Sequence, residues 1–198
     1  EDLKAGFSYV AGHVEIRTAI LLSAATGFFG MSFFFILPAH TEEVLHLGSE
    51  ALGLTMAGFG IGAALGAITS SRMSERWQRR VPLLATAGLG IGLIAFANVT
   101  TLPLAIMLII PTGFAYLMLA CTNNCQIQLL SDDTMRGRVM SFYAMGALGG
   151  QPLGSLLLGY LADHYGVPNA FMFGGVACII IALLCYWYLR RVGILKPS

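Results

Sequence analysis

Residues 60–97 read GIGAALGAITSSRMSERWQRRVPLLATAGLGIGLIAFA, two apolar segments joined by a connector that holds four arginines. A later connector is again basic, with Arg136 and Arg138, whereas the alternate connectors contain neither Lys nor Arg. Basic residues close to the ends of transmembrane helices stay on the cytoplasmic side of the membrane. The alternation therefore predicts that the apolar segments cross a membrane and that both ends of this chain are cytoplasmic.

The composition also indicates a membrane protein. The chain of 198 residues is 57% hydrophobic and 11% charged, whereas soluble domains carry about 25% charged residues. A net charge of +1 gives no reason to expect a nucleic-acid partner. A spanning helix needs about 20 apolar residues, and the stretches that meet this length lie at about 18–39, 51–71, 81–99, 102–130, 139–162 and 168–189. We therefore predict an all-α membrane protein with a six-helix bundle over residues 18–198, in contact with a lipid bilayer.

The segment before the first span differs from the bundle. Residues 1–17 place Leu3, Phe7, Val10 and Val14 at helical spacing, which predicts an amphipathic linker helix at the cytoplasmic interface. Because the chain begins at Glu1 and not at Met, we expect a fragment or a processed product. On the opposite side of the membrane we expect a first connector that contains His40, Glu42, Glu43, His46 and Glu50.

Polar side chains inside the spans are the candidates for a substrate site. Polar groups within a bilayer are costly unless they face other helices or water. Thr112, Tyr116 and Asn123 of the fourth span share one helix face, and Thr26 lies among the aromatic residues of the first span. We predict that these four residues contact a small-molecule substrate. The alternative is that they hydrogen-bond to neighbouring helices.

Small residues recur at four-residue spacing in the second and fifth spans. Such a ridge lets another helix backbone approach closely, and proline removes a backbone donor, so that the helix can bend. We interpret these residues as helix-packing positions, with bending during a transport cycle as the alternative: Gly58, Gly62, Gly66, Gly146, Gly150, Pro152 and Gly154.

Catalytic chemistry is not expected. Among the predicted span interiors we find no Asp, Glu, Lys, Arg or His, so this part of the chain offers no good carrier for a coupled proton and no base for a nucleophilic serine. Nucleotide-binding loops and zinc motifs are also missing from the sequence. We therefore predict no enzyme activity, no cofactor and no metal.

The basic connectors resemble those of a known family. Gly62 and Gly66, followed by the segment 72–80, are similar to the loop signature of the major facilitator superfamily, with Glu75 and Gln78 in place of the usual Asp and Gly. The segment 136–141, RGRVMS, resembles a bacterial branch that includes enterobactin-exporter-like and drug-efflux-like proteins. The resemblance covers nearly the whole chain.

The resemblance implies the C-terminal six-helix half of a twelve-helix transporter in the bacterial inner membrane. Its N-terminal half would be the partner, and proton coupling would pass through that half. The family's loop signature implies a gating role, with simple orientation by positive charge as the alternative, for Glu75, Arg76, Arg79, Arg80, Arg136 and Arg138. We expect efflux of a small organic molecule by alternating access. The alternatives are a non-transporting membrane scaffold or sensor on the same fold, and a half that acts as a homodimer.

Overall fold

The computed structural model describes residues 2–194, apart from the side chains of residues 2, 3, 75 and 76. Within those residues all regular structure is helical. The helices are α1 (Asp2–Gly12), α2 (Val14–Ala25), α3 (Phe33–Ala39), α4 (Ser49–Ser71), α5 (Glu75–Gln78), α6 (Val81–Ala97), α7 (Leu102–Leu130), α8 (Arg136–Tyr165) and α9 (Val167–Arg191).

The first spanning segment is longer than the sequence indicates. A π-helical turn at Thr26–Gly30 joins α2 to α3, and a second one at His40–Val44 extends the helical path beyond Pro38. Together they form a segment from Val14 to Val44. His40, Glu42 and Glu43 therefore belong to this helical segment and not to the connector that the sequence predicted, and the His40 side chain is buried. The proline does not end the helix because the wider π turn follows it and continues the hydrogen-bonded path.

Within residues 2–194, four segments are long and apolar enough to cross a membrane on their own: Val14–Val44, Ser49–Ser71, Leu102–Leu130 and Val167–Arg191. The third predicted span corresponds to α6, which has 17 residues and is therefore about 25 Å long, slightly less than the hydrocarbon core of a bilayer. The fifth corresponds to α8, which has 30 residues but is not among the four apolar segments.

The helices pack through close backbone contacts. A Cβ atom on Gly62 would lie 1.8 Å from the carbonyl oxygen of Ile110 in α7, and one on Gly154 of α8 would lie 1.8 Å from the carbonyl oxygen of Phe28. A β-carbon at either position would overlap that oxygen, so only glycine fits as the helices stand. The other predicted packing glycines of α4, Gly58 and Gly66, also face α7, whereas Gly146 and Gly150 of α8 face the first span.

The segment before the first span is divided at His13, so that residues 1–17 are not one helix. α1 ends at Gly12, and α2 begins at Val14. A Cβ atom on Gly6 would lie 2.9 Å from the Phe142 ring, which shows that α1 packs directly on α8. Arg17 consequently belongs to the first spanning helix, where its guanidinium donates to the Tyr188 hydroxyl of α9.

Candidate functional site

A group of polar side chains converges between α2, α7 and α8. Ser23, Thr26, Tyr116 and Tyr143 line a small cavity of about 30 Å³, large enough for about one water molecule. The Tyr143 hydroxyl donates to the carbonyl oxygen of Ala120 over 3.2 Å. Two hydroxyl-bearing rings and two small hydroxyl side chains therefore meet in a bundle that is otherwise mainly apolar.

Thr26 and Tyr116 are brought together in this cavity, but their surroundings differ. The Thr26 hydroxyl is buried and donates to backbone carbonyls of its own helix, at 2.8 Å to Leu22 and 3.0 Å to Ser23. Tyr116 is only partly buried, and its ring lies 6.0 Å from that of Phe59 in α4. Tyr116 is therefore the more accessible of the two for a ligand.

Thr112 points away from the cavity. Its side chain is fully buried against Gly92 of α6, where an added Cβ would lie 2.2 Å from the threonine oxygen. The hydroxyl donates to Leu108 over 2.8 Å, within α7. A contact with α6 supports helix packing and not the predicted contact with substrate. The four-residue step from Thr112 to Tyr116 turns the helix by about 40°, enough to separate the two surroundings.

Asn123 joins α7 to α2. Its amide nitrogen donates to the carbonyl oxygen of Ala19 over 3.1 Å and to the Ser23 hydroxyl over 2.9 Å, whereas its Oδ1 atom has no hydrogen-bond partner. The residue is fully buried beside a larger cavity of about 190 Å³ that lies toward the arginine-rich connector and includes Gln126 in its lining. The geometry supports a helix-bridging role for Asn123.

We expect Asn123→Ala to lower the midpoint of thermal unfolding by about 2–8 °C, because removing its two interhelical hydrogen bonds costs about 1–2 kcal/mol. The control is Gln128→Ala, since this exposed amide donates to Asn124 within the same helix and its loss should change the midpoint by less than about 2 °C. Thermal unfolding of the detergent-solubilised protein measures both. An unchanged midpoint with an altered substrate affinity would instead make Asn123 a substrate contact.

The predicted gating residues lie at the arginine-rich ends of the helices. Arg79 forms an ion pair with Glu15 of α2 over 3.2 Å, so the connector before α6 is tied to the start of the first span. The Gln126 amide donates to the carbonyl oxygen of Gln78 and adds a link to α7. The side chains of Glu75 and Arg76 lie outside the described residues.

The second basic connector makes mainly local contacts. Arg136 pairs with Asp133 over 2.8 Å and donates to the carbonyl oxygen of Gln128 over 3.1 Å. Arg138 donates to the Met135 sulfur over 3.5 Å. Arg136 therefore holds the turn between α7 and α8.

Sequence reasoning missed Glu15, Tyr143 and the buried His40. Tyr143 could have been found by the polarity argument applied to the fourth span, because it is one of few polar residues in the fifth. Glu15 carried no comparable signal, since its partner Arg79 is distant in sequence and only the folded chain brings them together.

Comparison with known proteins gives a family for this architecture. The model of the Major Facilitator Superfamily matches residues 19–197. The multidrug efflux pump Tap of Mycolicibacterium fortuitum is 30% identical over 140 residues, which cover 70% of this chain and 34% of that protein. The staphyloferrin A transporter of Staphylococcus aureus is 28% identical over 193 residues, which cover 96% of this chain and 48% of that protein.

A solved structure shows the same fold. The proton:xylose symporter XylE superposes with a TM-score of 0.74 at 16% sequence identity, over 91% of this chain and 45% of that chain. This chain thus spans less than half the length of each of these proteins. Its helices have the arrangement of part of that fold. The chain belongs to the Major Facilitator Superfamily and is part of a multi-pass membrane protein.

Proposed function

We propose that the complete protein exports a small organic molecule by alternating access, and that this chain is the C-terminal one of its two six-helix halves. In such a cycle two bundles rock about a site near the middle of the membrane. The relatives include the multidrug efflux pump Tap, the multidrug resistance protein MdtG and the staphyloferrin A transporter, and the first of these supports efflux. We propose a bacterial inner membrane location with both ends of this chain cytoplasmic, on the basis of the one-sided basic residues.

The observation that carries this proposal is the polar cavity between α2, α7 and α8. Tyr116 and Tyr143 reach it from different helices. Because the cavity has room for about one water molecule as it stands, in our proposal a movement of α8 relative to α7 opens the space between the two rings to the substrate. Aromatic rings with hydroxyl groups bind an organic molecule by stacking and by hydrogen bonds. In our proposal Tyr116 contacts the substrate directly, and Thr26 shapes the floor of the site. Thr112 and Asn123 support the site by packing.

We propose that the N-terminal half of the complete protein packs against the exposed apolar face of α4 and α8. Large apolar side chains remain exposed along α4 and α8, among them Ile61, Leu65, Leu148 and Leu156. An apolar face within the membrane is covered by lipid or by other helices. Proton coupling passes through the N-terminal half in this proposal, as the family resemblance implies.

The ion pair between Glu15 and Arg79 supports a gating role for the arginine-rich connector. Both side chains are partly exposed, at 25% and 58%, so the pair contributes less than about 1 kcal/mol to stability. We therefore expect Glu15→Gln to shift the unfolding midpoint by less than about 3 °C. The transport rate should change several-fold, because one state of the cycle loses the ion pair that stabilises it. Transport in vesicles measures the rate.

The charge-reversed double variant, Glu15→Arg with Arg79→Glu, is the control for this gate. It restores an ion pair of opposite direction, and we expect it to recover most of the rate lost in the single variant. If Glu15→Gln left the transport rate unchanged, the arginines would have no gating role and would only set the orientation of the helices in the membrane.

The test of the proposed function is transport by the full-length gene product in proteoliposomes. The substrates are a panel of siderophores, macrolides and cationic dyes. We expect at least one of them to cross the membrane of vesicles that contain the protein and not that of vesicles without it. Failure with every compound would favour the non-transporting scaffold or sensor. A mass measurement of the solubilised protein separates one twelve-helix chain from a dimer of halves.

A further inference from the structure

His40 is the most unusual titratable residue in the described part of the chain. Its side chain is completely buried in the second π turn of the first span, at the end of the bundle opposite the arginine-rich connectors. Neither ring nitrogen has a hydrogen-bond partner. The imidazole packs against the rings of Phe96 in α6 and Phe171 in α9, with centroid distances of 4.7 Å and 5.2 Å. A buried polar group without partners costs free energy and calls for an explanation.

Carbonyl oxygens and aromatic faces near the ring favour a protonated imidazole, whereas burial opposes it. The carbonyl oxygens of Phe96 and Ala97 lie near the imidazole without completing a hydrogen bond, and they belong to the end of α6. The carbonyl end of a helix carries partial negative charge and attracts cations, and so do aromatic faces. Burial away from water opposes the charge. Neither protonation state is therefore fully satisfied in this position.

Charged groups lie around the site but not inside it. The elements that pack on this turn are α3, α4, α6 and α9, and in their parts next to it the charged residue is Glu50, in the first turn of α4. The titratable side chains at the same end of the bundle are all exposed: Glu42, Glu43, His46, Glu50, Asp163 and His164. A protonated imidazole that moved outward would thus exchange an apolar site for water and acidic side chains.

We propose that His40 is a proton-binding site that couples pH at this end of the bundle to the packing of the first span against α6 and α9. A proton from water binds the ring nitrogen that carries none, and the resulting cation shifts the equilibrium toward a conformation in which the turn separates from Phe96 and Phe171. The role in transport rests on the function proposed above, and it would give this half a proton carrier of its own. Histidine suits the role because its charge changes near neutral pH.

The test measures the movement directly in the full-length gene product, reconstituted after replacement of its native cysteines. Spin labels at Leu47→Cys and Asn98→Cys report the separation of the turn from the end of α6, since both positions are exposed at that end. We expect the distance distribution to change between about pH 7.5 and pH 4.5, a range that extends below the one in which a solvated histidine titrates because burial opposes protonation. In His40→Phe, whose ring can pack against Phe96 and Phe171, we expect no change with pH.

Two further variants make this test decisive. His46→Asn is the matched control, because His46 is exposed at the same end and has a positive φ of 55° that asparagine tolerates. It should keep the full pH response. His40→Gln retains a polar group that cannot take the proton, and it replaces His40→Phe if the latter does not fold. A pH response that survives in the His40 variants, or that is missing in the parent protein, would overturn the proposal.

Ethidium transport with the pH set separately on the two sides of the vesicle distinguishes the site from the function. If the parent protein moves ethidium, we expect acid on the His40 side to change its rate at least about five-fold, and His40→Phe to lose that dependence. Transport whose pH dependence is intact in His40→Phe would overturn the proton site and leave the proposed function standing. A His40-dependent distance change without transport of any compound would support the proton site and overturn the proposed function.

Discussion

Gly62→Ala is expected to destabilise the bundle more than any other single-methyl change in α4. The new Cβ would lie 1.8 Å from the carbonyl oxygen of Ile110, and the obstacle is backbone that cannot rotate away. The helices α4 and α7 must therefore separate, with loss of the contacts along their shared face. Overpacking of this kind costs about 3 kcal/mol, which corresponds to a fall of about 6–12 °C in the unfolding midpoint. Thermal unfolding of the solubilised protein checks the value.

Gly60→Ala is the matched control in the same helix. An added Cβ at Gly60 meets no heavy atom within 4 Å, and alanine is intrinsically favoured over glycine in a helix by up to about 1 kcal/mol. The two substitutions add the same methyl group, so we expect their effects to have opposite signs. If Gly62→Ala were as stable as the parent protein, α4 and α7 would not be in the close contact described above.

Tyr116→Ala is expected to raise the apparent KM for a transported substrate by about ten-fold or more. Tyr116 enters the cavity between α2, α7 and α8, and the loss of an aromatic contact worth about 1.4 kcal/mol corresponds to a factor of ten in affinity. Tyr116→Phe should retain the stacking contribution and lose only the hydroxyl, so that its KM rises by a smaller factor. Initial transport rates over a range of substrate concentrations measure both variants at matched expression.

Thr112→Ala, one turn away on the same helix, separates substrate binding from packing. Its hydroxyl is satisfied within α7 and its side chain faces Gly92 of α6, so the substitution should leave KM within about two-fold of the parent value while lowering stability slightly. Equal changes of KM in the two alanine variants would mean that Tyr116 acts through helix packing and does not contact the substrate.

The family could be read from the sequence because its signals are local. The basic connectors and the small-residue stripes depend on residues close together in the chain, and the family model and the folded chain agree with the assignment to the major facilitator superfamily. The packing partners of the helices were harder to predict from the sequence. The close approach of Gly90 in α6 to Gly175 in α9, where each added Cβ would lie 2.5 Å from the other residue's carbonyl oxygen, involves positions far apart in the chain.

The candidate site was only partly predictable for a related reason. Thr112 and Tyr116 share a face by helical spacing, yet they contact different neighbours, because a small rotation between them is enough to cross the boundary between α6 and the cavity. The length of the first span was also misjudged, since Pro38 and the acidic residues after it are typical of a helix end. The π turns that continue this helix depend on its packing and have no simple sequence signature.

The local patterns of hydropathy and charge predicted an all-helical membrane protein of the major facilitator superfamily, and the one-sided arginines predicted its orientation. Hydropathy and charge act on each segment separately, so membrane spans and their orientation can be predicted without knowing how the helices pack. The contacts of the polar side chains became known from the folded chain: Tyr116 lies near Tyr143, Glu15 pairs with Arg79, and His40 packs against two phenylalanine rings. These contacts join residues that are distant in the chain, and their geometry depends on how closely the glycine-lined helices approach one another.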